Sequence, residues 1–250
     1  RDGDRYVDGG DGTDASDHAS QHANALPVAT GLAPDELVET LADRLADDGM
    51  GMGPMMVRWL LDAFDAADRP AAMVALLTDA EADGWANILA EDGTFTWETW
   101  HCRTLEPADE RHNRSASHAM GATVLAHVQR VLLGVHVEAP GAAELAVTPP
   151  AAGLDSAAGT VPTERGPVDV DWERDADGFS LAVAVPWNAD ARVVLPADGE
   201  PERVTEGDAE LVADGTVAAT LPDGVRTVER TADGVAVEVG AGTYEFDLAE

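Results

Sequence analysis

Val168-Asp-Val-Asp-Trp172 and Leu181-Ala-Val-Ala-Val185 set a larger apolar side chain at every second position. Successive side chains of a strand point to opposite faces, so this alternation reads as two strands with one face buried. Around them, Asp-Gly pairs at Asp177, Asp198, Asp214, Asp223 and Asp233 punctuate short apolar runs at strand-sized intervals. Such pairs tolerate the left-handed backbone of tight hairpin turns, and their recurrence is the turn chemistry of an antiparallel sandwich. Toward the N-terminus the alternation ends in a passage rich in Pro, Gly and Ala between Pro140 and Pro167. Upstream of that passage the hydrophobic period changes.

From about Asp14 to Gly134 the spacing is helical. Pro34, Asp35 and Glu36 open a helix, with proline tolerated in the first turn and the acids facing the positive dipole end. Leu37, Leu41 and Leu45 follow on one face until Gly49. Val57, Leu60, Leu61 and Phe64 repeat the i, i+3, i+4, i+7 pattern after Pro54, and Pro70 to Thr78 predicts another helix with Val74 and Leu77 on one side. A last helix is expected over roughly Ser115 to Leu133, carrying Val124, Val128, Val131 and Leu132 and stopping at Gly134. The expected organisation is an all-α region with short turns over residues 1–138 and an all-β domain over residues 139–250. The chain shows no repeat of 20 to 50 residues, so neither a solenoid nor a propeller is indicated.

The 250 residues are 45% hydrophobic, enough for a core, and carry a formal net charge of -33. That apolar fraction is too high for a disordered acidic tail. Every basic residue is Arg, no Lys occurs, and the acids are spread along the whole chain. At molar salt the Debye length falls to roughly 3 Å, so a carpet of hydrated carboxylates carries no long-range repulsion. The composition reads as a halophile's surface. Nucleic acid is excluded as a partner, because phosphate binding needs a basic stripe and the Arg residues form none. No apolar run approaches the roughly 20 residues of a membrane-spanning helix, so no membrane partner is expected. The single cysteine, Cys102, forbids an internal disulfide and leaves the compartment open.

Two metal readings fail on spacing. Gly9-Gly-Asp-Gly-Thr-Asp14 matches one calcium-binding nonapeptide core, but that architecture needs several stacked copies. Asp2 and Asp4 do not complete an EF-hand loop, since the bidentate Glu is missing. His101, Cys102, His112 and His118 fit neither paired-ligand zinc template. No metal site and no cofactor are expected.

The stretch Trp85-Ala-Asn-Ile-Leu-Ala-Glu-Asp-Gly-Thr-Phe-Thr-Trp-Glu-Thr-Trp100 places the carboxylate of Glu98 between Trp97 and Trp100, in a chain only 5% aromatic. Sugars present apolar C–H faces beside their hydroxyls, so a carboxylate flanked by indoles suits a carbohydrate pocket. A core Trp pair with a surface Glu accounts for the same residues equally well.

Gly93-Thr-Phe-Thr-Trp97-Glu98-Thr-Trp100 resembles the G-x-T-x-W-E-x-W signature of the α-L-rhamnosidases of glycoside hydrolase family 78, with Phe95 at the place of the signature's Thr. Ser115-Ala-Ser-His118-Ala-Met-Gly121 resembles the same family's downstream S-x-x-H-x-x-G segment, in the same order. Asp17-His-Ala-Ser-Gln-His-Ala-Asn24, with Gly31-Leu32 and Pro34, is similar to the helix leading into the late part of its barrel. Gly166 to Trp172, Leu181 to Trp187, Leu195-Pro196 and Gly242-Thr-Tyr-Glu-Phe246 resemble its C-terminal sandwich. The resemblance implies a partial (α/α)6 six-hairpin barrel followed by an antiparallel β-sandwich. It further implies an inverting hydrolase of terminal α-L-rhamnosides in which Glu98 is the general base, His118 binds the sugar, and Trp85, Trp97 and Trp100 contribute to the substrate site. An inverting glycosidase needs a second carboxylate as general acid, roughly 6.5 to 9.5 Å from the base. The family's acidic motif lies earlier in the barrel and has no match here. The missing helices are expected from an upstream part of the same polypeptide or from a companion chain, and the isolated chain is expected to be inactive. Two alternatives stay open: another α/α-barrel carbohydrate enzyme, since fold alone does not fix substrate, and a non-catalytic carbohydrate-binding fragment.

Overall fold

Ser20 opens the first helix, α1 (Gln21–Ala29), by accepting from the Ala23 N–H through its hydroxyl at 3.1 Å. The computed structural model describes residues 3–9, 17–102, 114–150, 153–197, 199 and 201–249. Its contacts divide it into two units, Arg1–His127 and Val128–Glu250. The Gly10–Asp14 part of the nonapeptide match, Asp2, His112 and Asp198 lie outside the described residues.

In the first unit α2 (Asp35–Asp48) has no side-chain cap at Pro34, but Asp35 and Glu36 occupy its first turn. Its buried stripe of Leu37, Leu41, Ala42 and Leu45 is the one the spacing predicts. α3 (Arg58–Ala66) buries Leu60, Leu61, Ala63 and Phe64, and α1 packs against both. α4 (Pro70–Thr78) begins at the proline, yet it buries Met73 fully while Val74 and Leu77 stay half-buried. Two polar side chains of α1 are buried and satisfied. Gln21 donates to Gly49 O at 2.7 Å and accepts from the Gly51 N–H at 2.9 Å, pinning the loop after α2. Asn24 donates to Tyr6 O at 3.0 Å and accepts from the Tyr6 N–H at 2.9 Å. Buried amides that spend both ends on backbone fix a unique chain path.

After α5 (Trp85–Ala90) the chain leaves helical geometry, and here the structure corrects two expectations. The connections are not all short turns, because residues 91–102 form an extended and turning segment. Nor does a helix start at Ser115. Residues 114–118 are non-helical, followed by a 3-10 turn (Ala119–Thr123), α6 (Val124–His127) and a π turn (Val128–Leu132). The backbone groups of Ser115 and His118 that a helix would use are taken by the segment carrying Glu98.

The second unit is a sandwich with twelve strands among the described residues. They are β1 (Val135–Val137), β2 (Glu144–Val147), β3 (Ser156–Thr163), β4 (Gly166–Arg174), β5 (Gly178–Val185), β6 (Asp190–Pro196), β7 (Arg203–Glu206), β8 (Ala209–Ala213), β9 (Thr216–Val217), β10 (Val225–Thr231), β11 (Gly234–Val239) and β12 (Gly242–Ala249). One sheet has the order β1-β2-β6-β11-β10 and the other β3-β4-β5-β12-β7-β8-β9. Pairing is antiparallel except between β2 and β6, which run parallel. Val168, Val170 and Trp172 point inward from β4, and Leu181, Val183 and Val185 do so from β5. Val193, Leu195, Val235 and Val237 of the other sheet join them in one core. Trp172 is buried, stacks on Phe179 with centroids 6.0 Å apart and donates its indole N–H to Leu132 O at 3.0 Å. Asp214 and Gly215 both have positive φ, 48° and 72°, and make the two-residue turn between β8 and β9.

The outward face of the larger sheet carries the charge. Asp169, Asp171 and Glu173 project from β4, Glu245 and Asp247 from β12, with Ser180 and Ala182 of β5 between them. Trp187, in the turn after β5, is 84% exposed. Arg165 braces that turn by donating to Asn188 O and, through Nε at 2.8 Å, to Gly141 O.

Candidate active site

Glu98 and His118 are brought together by two short non-helical segments that bond to each other. The Glu98 N–H donates to Ser115 O at 2.9 Å, and the His118 N–H donates to Thr96 O at 2.8 Å. The Thr96 hydroxyl closes the pair by donating to His118 O at 2.6 Å. Gly121 must be glycine for the segments to lie so close: a Cβ there would stand 2.8 Å from Thr96 Cβ.

Both carboxylate oxygens of Glu98 are engaged. The Ser115 N–H donates to Oε2 at 2.9 Å, and Arg114 Nη1 donates to Oε1 at 3.3 Å. A carboxylate has about four lone-pair sites, so these two bonds leave others for water or a sugar hydroxyl. The Ser115 amide above all, with the charges of Arg114 and His118 and the Arg114 hydrogen bond, holds its pKa below the usual Glu value, although burial, second in size to the amide, opposes them. Glu98 is therefore ionised at neutral pH, as a proton acceptor must be. Its side chain is 31% exposed, within reach of solvent. His118 is half-buried, and its Nδ1 is buried without a hydrogen-bond partner among the described residues.

The indoles lie beneath this arrangement. Trp97 is 1% exposed and Trp100 4%, so neither presents an open ring face to solvent in this chain. Trp100 donates its N–H to Met52 O at 2.7 Å and meets Trp85 edge-on at 5.0 Å. Trp85 is half-buried and donates to Gly121 O at 2.9 Å, so it braces the segment that carries His118. Phe95, half exposed, is the aromatic residue of this stretch that does face solvent.

The remaining zinc candidates go elsewhere. His101 Nε2 pairs with Asp83 Oδ2 at 2.9 Å, and Cys102 Sγ donates to Arg114 O at 3.0 Å. Sequence reasoning missed Arg114, Thr96 and the amide of Ser115 as partners of the pair. Arg114 had a usable signal: it is one of 15 basic residues against 48 acids and immediately precedes the His118 segment.

Two neighbouring family models match the chain: the bacterial α-L-rhamnosidase six-hairpin glycosidase domain over residues 4–132, and the bacterial α-L-rhamnosidase C-terminal domain over residues 134–210. A helical unit that holds a solvent-reachable carboxylate, followed by a β-sandwich, is thus of the six-hairpin glycosidase class. The chain belongs to the bacterial α-L-rhamnosidase family. A curated α-L-rhamnosidase of Alteromonas sp. (strain LOR) is 29% identical over 186 residues, which are 71% of this chain and 20% of that protein. The solved α-L-rhamnosidase of Dictyoglumus thermophilum superposes with a TM-score of 0.76 at 24% identity, over 93% of this chain and 26% of its own. That of Streptomyces avermitilis, complexed with L-rhamnose, gives 0.73 at 24% identity, over 91% and 21%. At such identities the structural likeness concerns the fold alone. The chain spans about a fifth of the Alteromonas protein and about a quarter of the Dictyoglumus one.

Proposed function

We propose that this chain supplies the general-base half of an inverting α-L-rhamnoside hydrolase. The observation that carries the reading is the Glu98 carboxylate, ionised, reachable by solvent and held by Ser115 N–H and Arg114 beside His118. In the proposed reaction Glu98 removes a proton from water as that water attacks the anomeric carbon, on the face opposite the leaving group. His118 holds the sugar, while Trp85, Trp97 and Trp100 keep the base in register. The general acid comes from the earlier part of the barrel, upstream in the same polypeptide or on a companion chain, so this chain alone is inactive. Family membership and the rhamnose bound by the Streptomyces relative support the sugar; the pairing of residues 96–98 with 115–118 supports the base.

The test is Glu98→Gln in the complete enzyme. Removing a general base lowers the rate about 10²- to 10⁴-fold, while rhamnose binding, followed by calorimetry, persists. Near-native turnover of aryl rhamnosides by the Glu98→Gln enzyme rejects the assignment. Faster turnover of aryl fucosides than rhamnosides by the native enzyme rejects the substrate.

A further inference from the structure

We propose that Arg114 is a positioning residue for Glu98: its Nη1 holds Oε1 at 3.3 Å while the Ser115 N–H holds Oε2 at 2.9 Å, and together they fix the plane of the carboxylate. The inference rests on Glu98 acting as the base. One donor on one oxygen leaves the carboxylate free to turn about its terminal torsion, which is broad and roughly two-fold. A second donor on the other oxygen removes that freedom. A base must present its lone pair within about 2.6 to 3.2 Å of the water proton donor, so the orientation enters the rate directly.

The backbone beneath Arg114 is itself fixed from both sides. Cys102 Sγ donates to Arg114 O, and the Glu98 N–H donates to Ser115 O, so the guanidinium starts from a Cα held in register with the carboxylate it meets. Arg114 is about half exposed, and ion pairs so open to solvent add little to stability. An arginine tied to a carboxylate at a solvent-reachable site therefore does little for the fold, and its effect lies in aiming Glu98. Among the described residues the charged groups acting on Glu98 are Arg114 and His118. Removing Arg114 leaves His118 and the Ser115 amide in place, so the carboxylate stays bound by one oxygen and titrates nearer the ordinary Glu range.

The test compares Arg114→Gln and Arg114→Lys in the complete enzyme, each alone and combined with Glu98→Gln. We expect Arg114→Gln to lower kcat about 10- to 100-fold with KM little changed, the range that misplacing a reacting group costs. The acid limb of its kcat/KM profile should move to higher pH, and Arg114→Lys, which keeps the charge, should recover the limb while restoring kcat only in part. In the Glu98→Gln background Arg114→Gln should cost nothing further, because a residue acting through Glu98 has nothing left to act on. An equal loss in both backgrounds, or an unmoved acid limb, overturns the proposal even where Glu98→Gln alone is crippling. Near-native activity of Glu98→Gln alone fails the base reading, and the positioning role with it.

Discussion

Glu98 is useful only while ionised, so the direction of its pKa decides the pH range of the site. The Ser115 amide comes first among the effects that depress it, followed by the charges of Arg114 and His118. A depressed carboxylate stays a competent base below the ordinary Glu range and loses that competence only as pH falls through its own lower value. The acid limb of the kcat/KM profile in the complete enzyme should therefore lie below the ordinary Glu pKa. A limb at or above that value would show that another group sets it. The linked stability has the same sign: it is present above the unfolded-state pKa and fades as pH falls through the folded one. Of the site, Glu98 and His118 were legible, because signature residues mark them. The donors that hold Glu98 were not. A backbone N–H such as that of Ser115 leaves no trace in the identity of its residue, and Arg114 reads from sequence as one more surface cation.

Single elements can be broken selectively. Gly121→Ala should push against Thr96, whose hydroxyl holds His118 O, and cost about 1–3 kcal/mol by overpacking, read as a lower denaturant midpoint with accompanying loss of activity. Trp172→Ala removes a buried ring that packs on Phe179 and satisfies Leu132 O. It should destabilise the second unit by about 3–5 kcal/mol in chemical denaturation; a loss below about 1 kcal/mol would mean that the ring is not integral to that core. β4, β5, α2 and α3 were legible because each carries its period within its own residues, whereas α4 was legible only from the proline that opens it. The segment at 114–118 was not, since Ser115-Ala-Ser-His-Ala has nothing against a helix except that Thr96 and Glu98 claim its backbone. The parallel pairing of β2 with β6 was equally hidden, for residues more than forty positions apart choose each other through the shared core, not through local pattern.

Across the whole molecule the net charge of -33 is spread along the chain, and the outer face of the larger sheet shows how its members repel. Asp171 and Glu245 face the same side on either side of Ala182, and Glu173 and Asp247 flank Ser180 in the same way. Two strand spacings put such pairs about 10 Å apart, inside a Debye length of roughly 30 Å at 10 mM salt and beyond one of roughly 3 Å at 1 M. The melting temperature should rise with KCl over that range, and a midpoint indifferent to salt would remove the case for a halophilic surface. The contrast between Trp187, open to water, and Trp172, sealed in the sandwich, also makes the second unit a two-colour fluorophore. Trp187 emits from a polar surrounding and meets acrylamide in the native state, whereas Trp172 is shielded until the sheets part. Trp187→Phe should therefore remove the second unit's acrylamide-quenchable emission, leaving Trp172 as that unit's shielded reporter of the opening of its core.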